Sequence, residues 1–352
     1  MRDGIVWCPH CGRPHRLGEA YCPTSGKLLE QRVHERAVER PPGMKAHPLI
    51  GTVVDGKYEL LKLLGRGGVG EVFEAENRIL GKRVAIKVVF NATPTSAERL
   101  RREASIIASL NHPNICDLYD VGSLSDGSPY IVLELLTGET LESLIRRGRR
   151  LAPKVAVEVF SHILSGVHVA HAAGIIHRDL KPANIFLVER IGCVPVIKIL
   201  DFGFAKQVSG RSPTVTQPGK SCGTPAYMSP EQLLAGSIDH RSDLFSIGLM
   251  LFEAMTGEHP FAAASTTEIC YNIVRQPPTP LRKLRPNVAD SLEVLVRRAL
   301  DKAPVMRFSS ALEMQTALIA SVHGDEEAVD SSESLPRLMA ADSVPESSTQ
   351  VH

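Results

Sequence analysis

Three glycines, Gly65, Gly67 and Gly70, lie between two stretches of alternating apolar and polar residues, and their placement restricts the fold more than any other feature. Residues 57–64 read KYELLKLL, residues 64–77 read LGRGGVGEVFEAEN, and residues 82–90 read KRVAIKVVF. Alternation with a period of two, broken by glycine-bearing turns, predicts strands. A dinucleotide-binding fold would place a helix directly after such glycines. Here a strand follows, so the glycines join two strands and form a flap. Glycine lets backbone N–H groups approach phosphate oxygens closely; a plain hairpin turn is the other reading. Lys87 sits between Ile86 and Val88, so it faces away from an apolar side, toward either solvent or a cleft.

Periodicity changes downstream. Residues 96–110 have helical spacing, with Leu100, Ala104, Ile107 and Ala108 on one face, and YIVLELL at 130–136 reads as one more strand. Beyond Leu141 the pattern is mostly helical, including 154–173 and 242–256. A strand-rich block followed by a helix-rich block predicts an α+β domain of two lobes with a cleft between them. We divide the chain into a cysteine-bearing module at 1–29, a linker at 30–57, a main domain at 58–320 with lobes 58–135 and 136–320, and a tail at 321–352. The linker carries Pro41, Pro42, Gly43 and Pro48. The tail is acidic, serine-rich and expected to be disordered.

A hydrophobic fraction of 43% suffices for a buried core, and a net charge of +1 favours neither nucleic acid nor membrane as partner. No run approaches the roughly 18–20 apolar residues of a membrane span; the longest candidate, 244–255, contains Glu253. The start MRDGIVWCPH lacks a secretory pattern, and seven cysteines, an odd and partly scattered set, suit a reducing cytoplasm.

Residues 175–187 read IIHRDLKPANIFL, and Asp201-Phe202-Gly203 follows Asn184 by seventeen residues. Set downstream of the glycine loop and Lys87, this combination resembles the eukaryotic-type Ser/Thr protein kinases found in bacteria, over residues 58–320. The resemblance implies a bilobal fold, a strand-built N-lobe above a helical C-lobe, that moves the γ-phosphoryl group of ATP to protein hydroxyls. The roles implied are those of the family as a whole. Asp179 orients the acceptor hydroxyl and takes its proton, and Lys181 steadies the γ-phosphate, as in enzymes specific for Ser and Thr. Asn184 and Asp201 are hard oxygen ligands for Mg²⁺, with Mn²⁺ as the alternative ion. Lys87 holds the α- and β-phosphates and is oriented by Glu103; the alternative for Glu103 is a surface pair with Arg99.

Gly65, Gly67, Gly70, Val72 and Ala85 enclose the nucleotide. Leu133 takes the place before the hinge, whose main chain at Glu134 and Leu136 bonds adenine. His177 and Phe202 resemble packing residues, Asp243 resembles the anchor of the catalytic loop, and Glu231 is expected to pair with Arg307. Arg178 is a buried cation in want of a partner, and Lys206 is a second. A phosphate on Thr216, or on Ser221 or Thr214, would order the activation loop by satisfying them. Thr224 is placed against Asp179 and Lys181. Protein substrates and a transient homodimer for phosphorylation in trans are the implied partners.

Cys8, Cys11 and Cys22 resemble a zinc ribbon in which Ser25 stands where a fourth thiolate belongs. The missing ligand is His15, His10 or water, and the module would dock a partner protein. A decayed ribbon is the other reading. Two rival functions are a nucleotide-binding pseudokinase scaffold and a zinc-ribbon adaptor; the first predicts loss of a lysine, base or metal ligand, and none is missing.

Overall fold

The structure, a computed structural model, describes residues 5–7, 14–16, 47–67, 70–90, 92–189, 195–202 and 225–321, the first two stretches as backbone only. Two compact units divide at Ile50/Gly51. In the first, β1 (Ile5–Trp7) and β2 (Pro14–Arg16) form an antiparallel pair with Val6 opposite His15. Cys8, Cys11 and Cys22 lie outside the described residues, as does the tail after Ser321.

The second unit opens with a sheet of order β3-β4-β5-β6-β8-β7, comprising β3 (Val53–Val54), β4 (Tyr58–Arg66), β5 (Gly70–Asn77), β6 (Lys82–Val89), β7 (Leu118–Ser123) and β8 (Pro129–Glu134). The sheet begins upstream of residue 58, where the sequence led us to expect linker. Asp55 and Gly56, with φ of 48° and 64°, turn the chain from β3 into β4, a turn that suits Asp-Gly. Val54 is buried, and the Tyr130 hydroxyl donates to Asp55 while Tyr58 donates to Asp120 at 3.0 Å. Burial pushes the Tyr58 hydroxyl up to about 12, the Asp120 carboxylate adding to the effect. Helix α1 (Pro94–Ala108) packs on β7 with Leu100, Ala104 and Ile107 buried. Ala108, expected on that face, is the last helical residue and is exposed.

In the C-lobe, α2 (Leu141–Arg146) precedes α3 (Pro153–Ala172), and the short α4 (Pro230–Leu233) precedes α5 (Arg241–Thr256). Fourteen of the sixteen residues of α5 are buried, so this helix is enclosed on all sides and forms the lobe's axis. A Cβ on Gly248 would meet that of Ala299 at 2.9 Å, which lets α8 (Asp290–Ala299) approach closely. Between them in sequence come α6 (Thr266–Arg275) and α7 (Leu281–Leu284), and α9 (Ala311–Ala320) packs along α3. By length and composition α3 could cross a membrane, contrary to our sequence expectation; ten of its residues are buried in the lobe, so it reads as a core helix.

A small antiparallel sheet sits at the lobe boundary: β9 (Gly138–Thr140), β10 (Ile185–Val188) and β11 (Val196–Ile199), with Ile185 opposite Ile199. This register decides the site. Asn184 precedes β10 and Asp201 follows β11, so closing the hairpin brings two distant motifs side by side. The Leu200 N–H donates to the Asn184 carbonyl at 2.8 Å.

Candidate active site

The glycine hairpin is closed by Gly67 N–H donating to the Gly70 carbonyl at 2.8 Å. A Cβ on Gly70 would fall 2.0 Å from the Val88 carbonyl oxygen, so no larger residue fits there without moving the strand. Around Gly65 there is open space. On β6, Lys87 lies opposite Val72 and Ile131, and Ala85 lies opposite Leu133. Alternation therefore puts Val72, Ala85, Lys87 and Leu133 on one face of the sheet. Lys87 does face a cleft: its side chain is 12% exposed and its ammonium lies 2.6 Å from Asp201. Glu103 is half-buried on α1.

Asp179 lies nearby with its own lysine. Lys181 Nζ is 2.8 Å from Asp179 Oδ2, and Asn184 Nδ2 donates to the Asp179 carbonyl at 2.8 Å. That bond commits the amide nitrogen of Asn184 and leaves its oxygen as the atom to offer a cation. Among the described residues no three His, Cys, Asp or Glu side chains gather as a metal cage. One carboxylate and one amide oxygen nonetheless suit Mg²⁺, which retains waters and takes phosphate oxygens as its remaining ligands.

Two residues here hold backbone angles that L residues rarely adopt, Arg178 at φ 63° and Asp201 at φ 51°. Such angles persist only when neighbours over-determine them, and Asp243 supplies the constraint at Arg178. Its buried carboxylate accepts the N–H groups of His177 and Arg178 at 2.8 Å each, and His171 Nε2 at 2.8 Å. Burial alone would raise the Asp243 pKa, but the hydrogen bond from His171 and the charges around it hold it below the usual carboxylate range. From the opposite side, Gln232 donates to the Arg178 carbonyl at 2.9 Å. The Arg178 side chain is exposed, not buried as expected from the sequence.

His177 ties the two motifs together. Its Nε2 is 2.9 Å from the Leu200 carbonyl, which can only accept, so Nε2 carries the proton and Nδ1 accepts from Asp179 N–H at 3.3 Å. Burial lowers its pKa, so the neutral ring is favoured. The ring sits 4.7 Å from that of Phe202. Asp179, Asn184, Asp201, Lys87 and Lys181 thus share one crevice. Thr224 and the loop residues Lys206, Thr214, Thr216 and Ser221 lie outside the described residues. Sequence reasoning passed over Lys198 and the Asp55–Tyr130 contact; the Asp-Gly turn after Val53-Val54 was the available signal for the second.

Residues 58–319 match the family described as protein kinase domain. A probable serine/threonine-protein kinase of Streptomyces coelicolor is 39% identical over 76% of this chain and 40% of its own length. Serine/threonine-protein kinase Pkn1 of Myxococcus xanthus is 37% identical over 88% of this chain and 45% of its own. PknB of Mycobacterium tuberculosis is 38% identical over 76% of this chain and 43% of its own. The chain therefore spans less than half the length of these three relatives.

Proposed function

The chain belongs to the protein kinase family, and from that premise we propose that it transfers the γ-phosphoryl group of ATP to serine and threonine hydroxyls of proteins. The observation that carries this reading is the pairing of each aspartate with a lysine inside one crevice, Asp201 with Lys87 and Asp179 with Lys181. Phosphoryl transfer asks little covalent chemistry of a protein; it asks for placement and charge. When ATP enters, Lys87 exchanges its carboxylate partner for the α- and β-phosphates. Asp201 and the Asn184 oxygen would hold Mg²⁺, or Mn²⁺ in its place, which would supply positive charge against the phosphate oxygens. Asp179 accepts the proton of the acceptor hydroxyl as its oxygen bonds to the γ-phosphorus. The bond from that phosphorus to the bridging oxygen breaks, and ADP leaves. Lys181 steadies the transferred group, and Thr224 helps to place it against Asp179.

Gly65, Gly67, Gly70, Val72 and Ala85 cover the nucleotide, and the main chain of Glu134 and Leu136, beside Leu133, meets its adenine. We assign Glu103, half-buried on α1, the role of orienting Lys87 toward the phosphates. Activation by phosphorylation of Thr216 in trans, through a transient homodimer, follows the same reading, with Ser221 and Thr214 as further sites. The reduced, buried thiols of Cys116 and Cys270 suit a cytoplasmic protein. For the N-terminal module we propose a zinc site of Cys8, Cys11, Cys22 and His15 that docks a partner protein. In its favour, the antiparallel β1–β2 pair flanks the Cys8–Cys11 segment in the sequence.

Transfer of label from radiolabelled ATP to a protein substrate tests the catalytic reading. The parent should transfer label and Asp201→Ala should not; equal transfer by both would refute it. Full activity of phosphate-free Thr216→Ala would refute the activation step, and a purified chain with less than a tenth of an equivalent of zinc would refute the metal site.

A further inference from the structure

Lys198 lies three residues before Asp201, and its side chain is only 10% exposed. A lysine is seldom buried unless paired, and this one reaches two other segments. Its Nζ is 2.8 Å from Glu134 Oε2 at the end of β8, and it donates to the Ile115 carbonyl at 3.2 Å. We propose that Lys198 is a positioning residue which holds the hinge at Glu134 in the orientation that accepts adenine. This rests on the kinase reading above, in which the main chain of Glu134 and Leu136 contacts the base.

The surrounding bonds explain why one ammonium matters. Residues 114–117 are stitched along β11: Ile199 N–H donates to the Asn114 carbonyl at 2.8 Å, and Cys116 N–H donates to the Ile199 carbonyl at 3.0 Å. The Asn114 side chain donates to the Ile197 carbonyl at 2.9 Å. Glu134 N–H in turn donates to the Asp117 carbonyl at 2.9 Å. Three segments therefore meet at Lys198: the strand leading to Asp201, the stretch connecting α1 to β7, and the strand end that becomes the hinge.

Alternation along β8 puts Glu134 on the face opposite Leu133, away from the nucleotide side. A contact made by main-chain groups has no side chain through which to tune it, so its geometry is set from behind. There Glu134 has three attachments: its own N–H, its carbonyl, which accepts from Cys116 Sγ at 4.0 Å, and the carboxylate paired with Lys198. The Cys116 thiol beside them is pushed up to about 12, chiefly by burial and next by the charge of Glu134. It stays neutral, which leaves Lys198 as the charge facing Glu134. Without the ammonium, the carboxylate is left half-buried beside a neutral thiol and backbone carbonyls. It turns toward water and carries the hinge peptide with it.

Steady-state kinetics of the full chain separate this role from ordinary packing. Lys198→Met should raise KM for ATP about tenfold while kcat at saturating ATP stays within threefold, because Lys87, Asp179, Asn184 and Asp201 are untouched. Lys198→Arg, which keeps the charge, should keep KM within threefold of the parent. Glu134→Gln removes the other half of the pair, leaving the Lys198 ammonium with the Ile115 carbonyl, and should raise KM at least threefold; it also serves if Lys198→Met does not fold. ATP affinity by calorimetry should move in parallel with KM. An active parent whose KM is matched within twofold by Glu134→Gln, and by Lys198→Met wherever it folds, would overturn the positioning role alone. A parent without ATP-dependent transfer would overturn the kinase reading beneath it.

Discussion

Arg307 ties the 231–241 segment of the C-lobe to residues 301–302, and removing it should unfold the protein at markedly lower temperature. Its side chain is fully buried, and each of its donor nitrogens is committed. Nη1 donates to Glu231 Oε1 at 2.8 Å and to the Arg241 carbonyl at 3.1 Å. Nη2 donates to Glu231 Oε2 at 2.8 Å and to the Lys302 carbonyl at 3.2 Å, and Nε donates to the Asp301 carbonyl at 2.8 Å. Five guanidinium N–H groups thus meet five acceptors. Glu231 is 10% exposed and also accepts from Ser242 Oγ at 2.6 Å.

Arg307→Met strands a buried carboxylate and three carbonyls, so it should cost about 3–5 kcal/mol. At roughly 2–4 °C per kcal/mol for a domain of this size, Tm should fall by about 6–20 °C. The pair also leaves a pH signature. Burial would raise the Glu231 pKa, but the hydrogen bonds from Arg307 and Ser242 bring it from the ordinary 4.5 down to about 2. A folded pKa below the unfolded one means that the stabilisation is complete above the unfolded value and fades as pH falls toward the folded one. The full difference is worth about 3 kcal/mol, of which about 0.8 kcal/mol is lost by pH 4. Urea unfolding followed by far-UV circular dichroism, at pH 7 and pH 4, measures both quantities. The sole tryptophan, Trp7, belongs to the other unit, so circular dichroism is the readout. The gap in stability between the parent and Glu231→Gln should narrow by about 0.8 kcal/mol at the lower pH. A cost below about 1 kcal/mol for Arg307→Met, or a gap that does not change with pH, would refute the reasoning.

Gly70→Ala forces a Cβ against the Val88 carbonyl and should lower kcat/KM for ATP at least about tenfold, read from steady-state kinetics. Asp179→Asn keeps the shape but cannot take a proton, so kcat should fall about 10²–10⁴-fold with KM for ATP within about threefold. Gly122→Ala places a Cβ 2.3 Å from the hydroxyl of the buried Tyr130, which bonds Asp55. A cost of about 1–3 kcal/mol in thermal unfolding is expected.

Much of this was legible in one dimension. The alternating residues around the glycines formed β4, β5 and β6, and the helical spacing of Leu100, Ala104 and Ile107 gave α1 its buried face. The pairing of Glu231 with Arg307 could be expected from their motifs, and it is present. Lys198 shows where such reading stops. Between Ile197 and Ile199 it looks like the polar side of a half-exposed strand, because periodicity records alternation and not what covers each face. Residues 114–117 lie over that side and turn it into interior. The start of the sheet was missed for a different reason: a strand of two residues, Val53–Val54, is too short to show a period.

Local chemistry written along the chain named the carboxylates, the lysines and the tight glycine turns, since these depend on residue type and on neighbours a few positions away. The partners of those groups came from folding. Closure of the β10–β11 hairpin set Asn184 beside Leu200, and packing against α5 allowed Asp243 to hold the Arg178 backbone at a positive φ. In the crevice, Lys87 rests on Asp201. Such contacts join residues from 16 to more than 100 positions apart, and linear spacing carries no record of which surfaces will meet.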